Sequence, residues 1–131
     1  MKASEICIGD WFKAIDYNSP FRITAIYDDV VQTQADYQSE IDGNWYSEAE
    51  IKDLVPIELT EEILAKNGYK STPGLDFYWL DDKKHCCIKN YDGKRLFCYK
   101  QGINDIWLVV KYVHQLQHLL RLCGIEKEIE L

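Results

Sequence analysis

Residues 111–124 read KYVHQLQHLLRLCG, and the fold turns on how this stretch is laid out. At 100° per residue, Tyr112, Val113, Leu116, Leu119, Leu120 and Cys123 share one arc. Lys111, His114, Gln117, His118 and Arg121 share the other. Gly124 stands where a helix end favours a residue that tolerates a left-handed backbone. The spacing therefore predicts an amphipathic helix over 112–123. Burying its apolar face is worth on the order of 10 kcal/mol before the entropy of ordering is set against it. Such a face needs a sheet to lie on.

Working outward, the residues before it supply that sheet. Phe77–Leu80, His85–Asn90, Arg95–Lys100 and Ile106–Val110 read as strands of an antiparallel meander, with turns at 81–84, 91–94 and 101–105. Asp92-Gly93 is a strong hairpin signal, because that turn needs positive φ. Further back, Ser71–Gly74 reads as a loop. Thr60 caps a short helix ended by Asn67-Gly68, with Glu61 and Glu62 at its positive end. Residues 1–58 alternate short strands and turn signals. FRITAIY (21–27) has period two, Ile6–Phe12 is a strand interrupted by Gly9-Asp10, and Asn18-Ser19-Pro20 reads as a turn. Ala35–Glu40 reads as a loop, Ser47–Ile51 as one helical turn and Leu54–Ile57 as an edge strand. Over residues 5–58 this pattern, with its Gly9-Asp10 pair, resembles SH3-like barrels. The expected fold is α+β: an SH3-like sub-domain (1–58), a helical linker (59–70), and an antiparallel sheet packed by one amphipathic helix (71–131).

Composition sets the outer limits. A chain of 131 residues that is 47% hydrophobic and 13% aromatic can fill the core of one domain or two small ones. Its net charge of −7 is unevenly spread. Residues 1–66 hold 5 basic and 14 acidic side chains, and residues 67–131 hold 10 and 8. Five cysteines make an odd count with no CxxC pair, which suits a reducing cytoplasm. No apolar run follows Met1-Lys2 or approaches a membrane span, so a cytoplasmic protein without a membrane partner is expected.

Two longer motifs stand out: PIELTEEILAKNGY (56–69) and YVHQLQHLLRLCGIE (112–126). Together they resemble a family of small proteins, without an assigned activity, of phages and integrated mobile elements of gut-type anaerobic bacteria. Pro56, Leu59–Leu64 and Lys66–Gly68 match its linker, and Val113–Gln117 matches its terminal helix. The resemblance implies a mobile-element accessory protein and transfers no catalytic residue.

Several side-chain groups are candidates for chemistry. His114 and His118 are spaced i, i+4, as metal-binding histidines can be, but lack the adjacent glutamate of a metalloprotease helix. A solvent-facing stripe is the plainer reading, so Lys111, His114, Gln117, His118 and Arg121 form a mildly cationic ridge for an acidic protein surface or a phosphate backbone. Cys86-Cys87 should alternate, one buried and one exposed, with His85 on the face of Cys87. Trp11, Phe12, Phe21, Tyr27, Trp45 and Tyr46 supply either a barrel core or a recognition groove, with Trp11, Trp45 and Tyr46 the chosen binding candidates. No phosphate loop, nucleophile triad or zinc-ribbon pattern occurs. The expectation is a binding protein with a protein partner, no catalytic residue, no metal and no cofactor; weak nucleic-acid binding through the barrel aromatics and basic second half is the alternative.

Overall fold

The computed structural model describes residues 1–71, 77–101 and 104–131. They form two compact units, Met1–Ile57 and Glu58–Leu131. Each has its own antiparallel sheet.

The first unit begins with a 3-10 turn at Ala3–Glu5, then runs through β1 (Trp11–Ala14), β2 (Tyr17–Tyr27), β3 (Val30–Gln38) and β4 (Trp45–Glu50). A 3-10 turn at Ile51–Asp53 leads into β5 (Leu54–Pro56). The sheet order is β4-β3-β2-β1-β5. Its ends, β4 and β5, are not paired to each other, so no barrel closes among the described residues. Bending comes from register shifts. Between the pairs Phe12↔Phe21 and Ala14↔Tyr17, β2 carries three residues, Asn18-Ser19-Pro20, against the single Lys13. The expected turn is therefore a bulge inside a strand, with the actual reversal at Ile15-Asp16. Further shifts follow between Ile23 and Ala25 and between Gln32 and Tyr37. Phe12, Phe21, Ile23, Val31, Tyr37, Ala49, Ile51 and Leu54 close into one core.

Three other expectations for this unit fail for local reasons. Residues 6–10 are not strand. Gly9 has φ +91°, Cys7 N–H donates to Asp10 Oδ2 at 2.7 Å, and the regular ladder with β2 starts at Trp11. Residues 35–38 continue β3 because Tyr37 turns inward to the core. Ser47–Glu50 is strand, not helix: Glu48, Ala49 and Glu50 alternate out, in, out, and the helical turn comes after them.

The second unit contains α1 (Glu61–Lys66), β6 (Phe77–Trp79), β7 (Cys86–Tyr91), β8 (Lys94–Gln101), β9 (Asn104–Val109) and α2 (Val113–Leu122). Its sheet order, β6-β7-β8-β9, is the expected meander. Asp92 and Gly93 take the positive φ angles, +50° and +71°, of a tight hairpin. The expected loop from Thr72 to Gly74, and Gly102-Ile103 of the β8–β9 turn, lie outside the described residues. Thr60 caps α1, its Oγ1 accepting from Ile63 N–H at 3.3 Å. Helix α1, expected in a separate linker, lies within this second unit.

Along α2, Val113, Leu116 and Leu120 are fully buried, as are Ile88 of β7 and Val110 after β9. At the helix end Cys123 lies beside Cys86 on β7. Gly124 has φ +73°, which fits its role as the residue that stops the helix. Beyond it the chain doubles back and is held by two amide side chains. Gln117 Nε2 donates to the Lys127 carbonyl and Gln117 Oε1 accepts from Ile129 N–H, both at 2.8 Å. Asn67 Nδ2 donates to the Glu130 carbonyl and Asn67 Oδ1 accepts from Glu130 N–H, also at 2.8 Å. Ile129 is buried as a result.

Candidate functional site

The cationic ridge expected on α2 does not form as a continuous solvent-facing stripe. His114 and Gln117 are buried, His114 stacked on Tyr112 with ring centroids 5.9 Å apart. Gln117 spends both ends of its amide on the returning tail. The helical wheel counted both as outward because it scores polarity, whereas the tail gives a polar side chain something to bind on the protein side. Arg121 pairs with Glu128 at 3.5 Å, and the His118 ring meets that of His114 edge-on at 5.7 Å. Lys111 is exposed, with its ammonium 5.3 Å from the Tyr112 ring centroid.

The cysteines do not build a nucleophile. Cys86 and Cys87 are both buried, contrary to the expected alternation. One face of β7 meets α2 through Cys123, and on the other Cys87 lies in register between Trp79 and Cys98. Burial pushes the Cys86 thiol up to about 12 and the Cys98 thiol up to about 11, and raises Cys87 as well. These groups are protonated at neutral pH, the opposite of an activated thiolate. His85 is exposed and faces Asp81, 3.8 Å away.

The aromatic residues of the first unit divide sharply. Phe12 and Phe21 are core, and Trp11 is half-buried with the Arg22 guanidinium 4.8 Å from its ring centroid. Tyr27, Trp45 and Tyr46 are exposed. Of the three chosen candidates, Tyr46 lines a concavity. That space, about 380 Å³, is lined by Tyr37, Tyr46, Asp16, Asp53 and Val30 and by β4 from Glu48 to Glu50, where Ala49 points inward.

Each part of the pocket has a local cause. Tyr37 stacks on Phe21 at 5.6 Å, meets Tyr17 at 5.0 Å and Tyr46 at 5.8 Å, and its hydroxyl donates to the Glu48 carbonyl at 3.3 Å. Tyr46 is fixed from the β3–β4 turn, its hydroxyl donating to Asp42 Oδ2 at 2.6 Å. That turn is built for the purpose: Gly43 takes φ +73°, and Asp42 Oδ1 accepts from Asn44 N–H at 2.9 Å. The Tyr46 hydroxyl lowers the Asp42 carboxyl, so the turn stays anionic. Asp16 comes from the β1–β2 reversal and Asp53 from the 3-10 turn, where the Asp53 carbonyl accepts from Ile15 N–H at 2.9 Å.

The electrostatics follow. Tyr37 is pushed up to about 12, first by burial and then by Asp16, Tyr46, Asp53 and Asp42. Surrounding carboxylates that oppose a phenolate also favour a cation in the same space. Lys52 pairs with Glu50 at 3.0 Å on the surface, and Asp16 and Asp53 remain on the cavity. The wider charge is aligned with this. Residues 1–57 carry 4 basic and 11 acidic side chains, and residues 58–131 carry 11 of each, so the whole net charge of −7 belongs to the first unit.

Sequence reading missed Asp16, Tyr37, Asp42 and Asp53 as site residues. Only Asp42-Gly43-Asn44, a turn followed by aromatics, offered a signal. No protein-family model, curated protein or solved structure matches the chain significantly. No helix of the described residues is long and apolar enough to cross a membrane.

Proposed function

We propose that the chain is a non-enzymatic binding protein that receives a cationic side chain of a protein partner, arginine or lysine, in the acidic tyrosine pocket of its first unit. The observation that carries this reading is the convergence of Tyr37, Tyr46, Asp16 and Asp53 on one cavity, with Asp16 and Asp53 close enough to raise the Tyr37 phenol. A guanidinium or ammonium gains ring-face attraction and ion pairing together there, and the partial shelter strengthens both. A meander returned by a short fifth strand after a 3-10 turn supports an SH3-like unit, a frame that commonly binds extended segments in aromatic grooves. The role in a phage or mobile element, modulating a host defence or nucleic-acid-processing complex, is part of the same proposal. It rests on the two motifs and on an acidic surface suited to partners that otherwise hold nucleic acid.

The competing reading, direct nucleic-acid binding through the same aromatics, is disfavoured by the pocket's own charge, since these carboxylates repel phosphates.

Titration of the labelled protein with a short arginine-containing peptide, followed by NMR, tests the proposal. Resonances of Tyr37, Tyr46 and Asp53 should move, and binding should weaken as salt rises. Tyr46→Ala should weaken binding about 10-fold. The double change Asp16→Asn with Asp53→Asn should remove it. A pocket silent to every cationic peptide, or responsive to an oligonucleotide instead, overturns the reading.

A further inference from the structure

We propose that the end of the second sheet, where β8 begins and β9 finishes, binds a phosphate dianion, either free or as the head of a small phosphate ester. Lys94 and Arg95 of β8 and the chain leaving β9, Val109 to Lys111, border one recess of about 330 Å³ together with Glu58. All of them belong to the second unit. The recess is large enough for a phosphate with a small body attached.

The ladder explains why the bases meet there. Leu96 stands opposite Val109, and Val110 N–H donates to the Arg95 carbonyl at 2.9 Å. One step further along, Lys111 is set across from Lys94, so two lysines leave the same face as cross-strand neighbours. Like charges so placed destabilise a sheet unless a counter-charge lies between them. Arg95 leaves the other face, and the recess, lying at the sheet's end, is bordered by all three. The Lys111 backbone is fixed: its N–H donates to Gln115 Oε1 and its carbonyl accepts from Leu59 N–H, both at 2.9 Å.

The protein does not neutralise these bases itself. The ion pairs among the described residues do not take in Lys94, Arg95 or Lys111. Arg95 Nε is out of solvent and has no acceptor among the described residues. A sheltered guanidinium without an acceptor is costly to keep. Three bases against the single acid Glu58 leave the recess positive, within a unit whose 11 basic and 11 acidic side chains cancel. Two ammonium groups and a guanidinium suit a dianion with three acceptor oxygens, whereas a carboxylate brings one charge and two oxygens.

NMR of the labelled full chain at constant ionic strength tests the proposal. Inorganic phosphate and glycerol phosphate should each move the amides of Gly93, Lys94 and Lys111 with an affinity of about 1 mM, and sodium chloride should not. Equal affinities mean that the phosphate group alone is held; tighter binding of glycerol phosphate means that the recess also takes the body of an ester. Arg95→Gln and Lys111→Gln should each weaken binding about 10-fold. Glu58→Gln should strengthen it about 3-fold, a gain that a damaged fold cannot give. Amides indifferent to both phosphates overturn the proposal, and so does a response that Lys111→Gln and Glu58→Gln leave unchanged. An oligonucleotide that binds where neither small phosphate does overturns it as well.

Discussion

The N-terminal sheet buries Phe12, Phe21 and Tyr37 with only 3-10 turns to accompany its strands, whereas the C-terminal sheet has a ten-residue helix with a fully buried apolar stripe. The ladders explain the contrast. β1–β2, β2–β3 and β3–β4 each contain a register shift, so one long strand can serve two directions and the sheet bends toward itself. The ladders β6–β7, β7–β8 and β8–β9 run without a shift. A regular ladder has no such means of covering its own apolar face, so it borrows a helix and leaves an edge. Bulges thus decide which unit gains a pocket and which gains an open strand.

Core truncation should break the contrast most severely. Phe12→Ala is expected to cost about 3–5 kcal/mol and Leu120→Ala about 2–5 kcal/mol. Each unit holds two tryptophans, Trp11 and Trp45 in the first, Trp79 and Trp107 in the second. Urea unfolding in a Trp79→Phe/Trp107→Phe background should therefore register Phe12→Ala far more strongly than Leu120→Ala. Equal shifts would mean that one core, not two, governs stability.

Next in size is alkaline pH, which should strike both units together. Tyr37 and Tyr69, one in each, are both pushed up to about 12, by burial first. The unfolded phenol ionises near 10, so their stabilisation is complete below pH 10 and lost as pH climbs toward 12. Allowing for solvent screening, each ring should account for about 1 kcal/mol. Denaturation midpoints flat from pH 10 to 12 would refute this.

Smaller effects should be confined to the second unit. Gln117→Leu strands the Ile129 N–H and the Lys127 carbonyl at a cost of about 1–3 kcal/mol, and hydrogen exchange over 127–130 should rise ahead of the rest. Thr60→Ala removes the α1 cap for about 1 kcal/mol, visible as a modest shift in the urea midpoint.

What could be read from the chain follows the same division. Regular ladders obey simple periodicity, so the meander, the Asp92-Gly93 turn and the helix ending at Gly124 were legible. Bulges are a property of paired strands, and a single strand does not announce them. Asn18-Ser19-Pro20 carries every local mark of a turn and still lies within β2. Tyr37 looked like loop because its neighbours Ala35, Asp36 and Gln38 are exposed, and only the opposing strand shows that it points inward. Gln117 and Asn67 were invisible for another reason. Their partners on the tail are backbone groups ten or more positions away, which no wheel or window registers.

The amide clamps on the returning tail also set an order of events during synthesis. Every strand of the first sheet has been made by Pro56, so that unit can fold while translation continues. The second cannot seat its last buried side chain until Ile129 exists, 72 residues past Ile57. At ribosomal speeds of about 5–20 residues per second that is a delay of roughly 4–15 s. Throughout that interval an acidic, finished module precedes a nascent chain whose greasiest strand has no lid, and the finished module's repulsive charge is the nearest protection such a chain has against its neighbours.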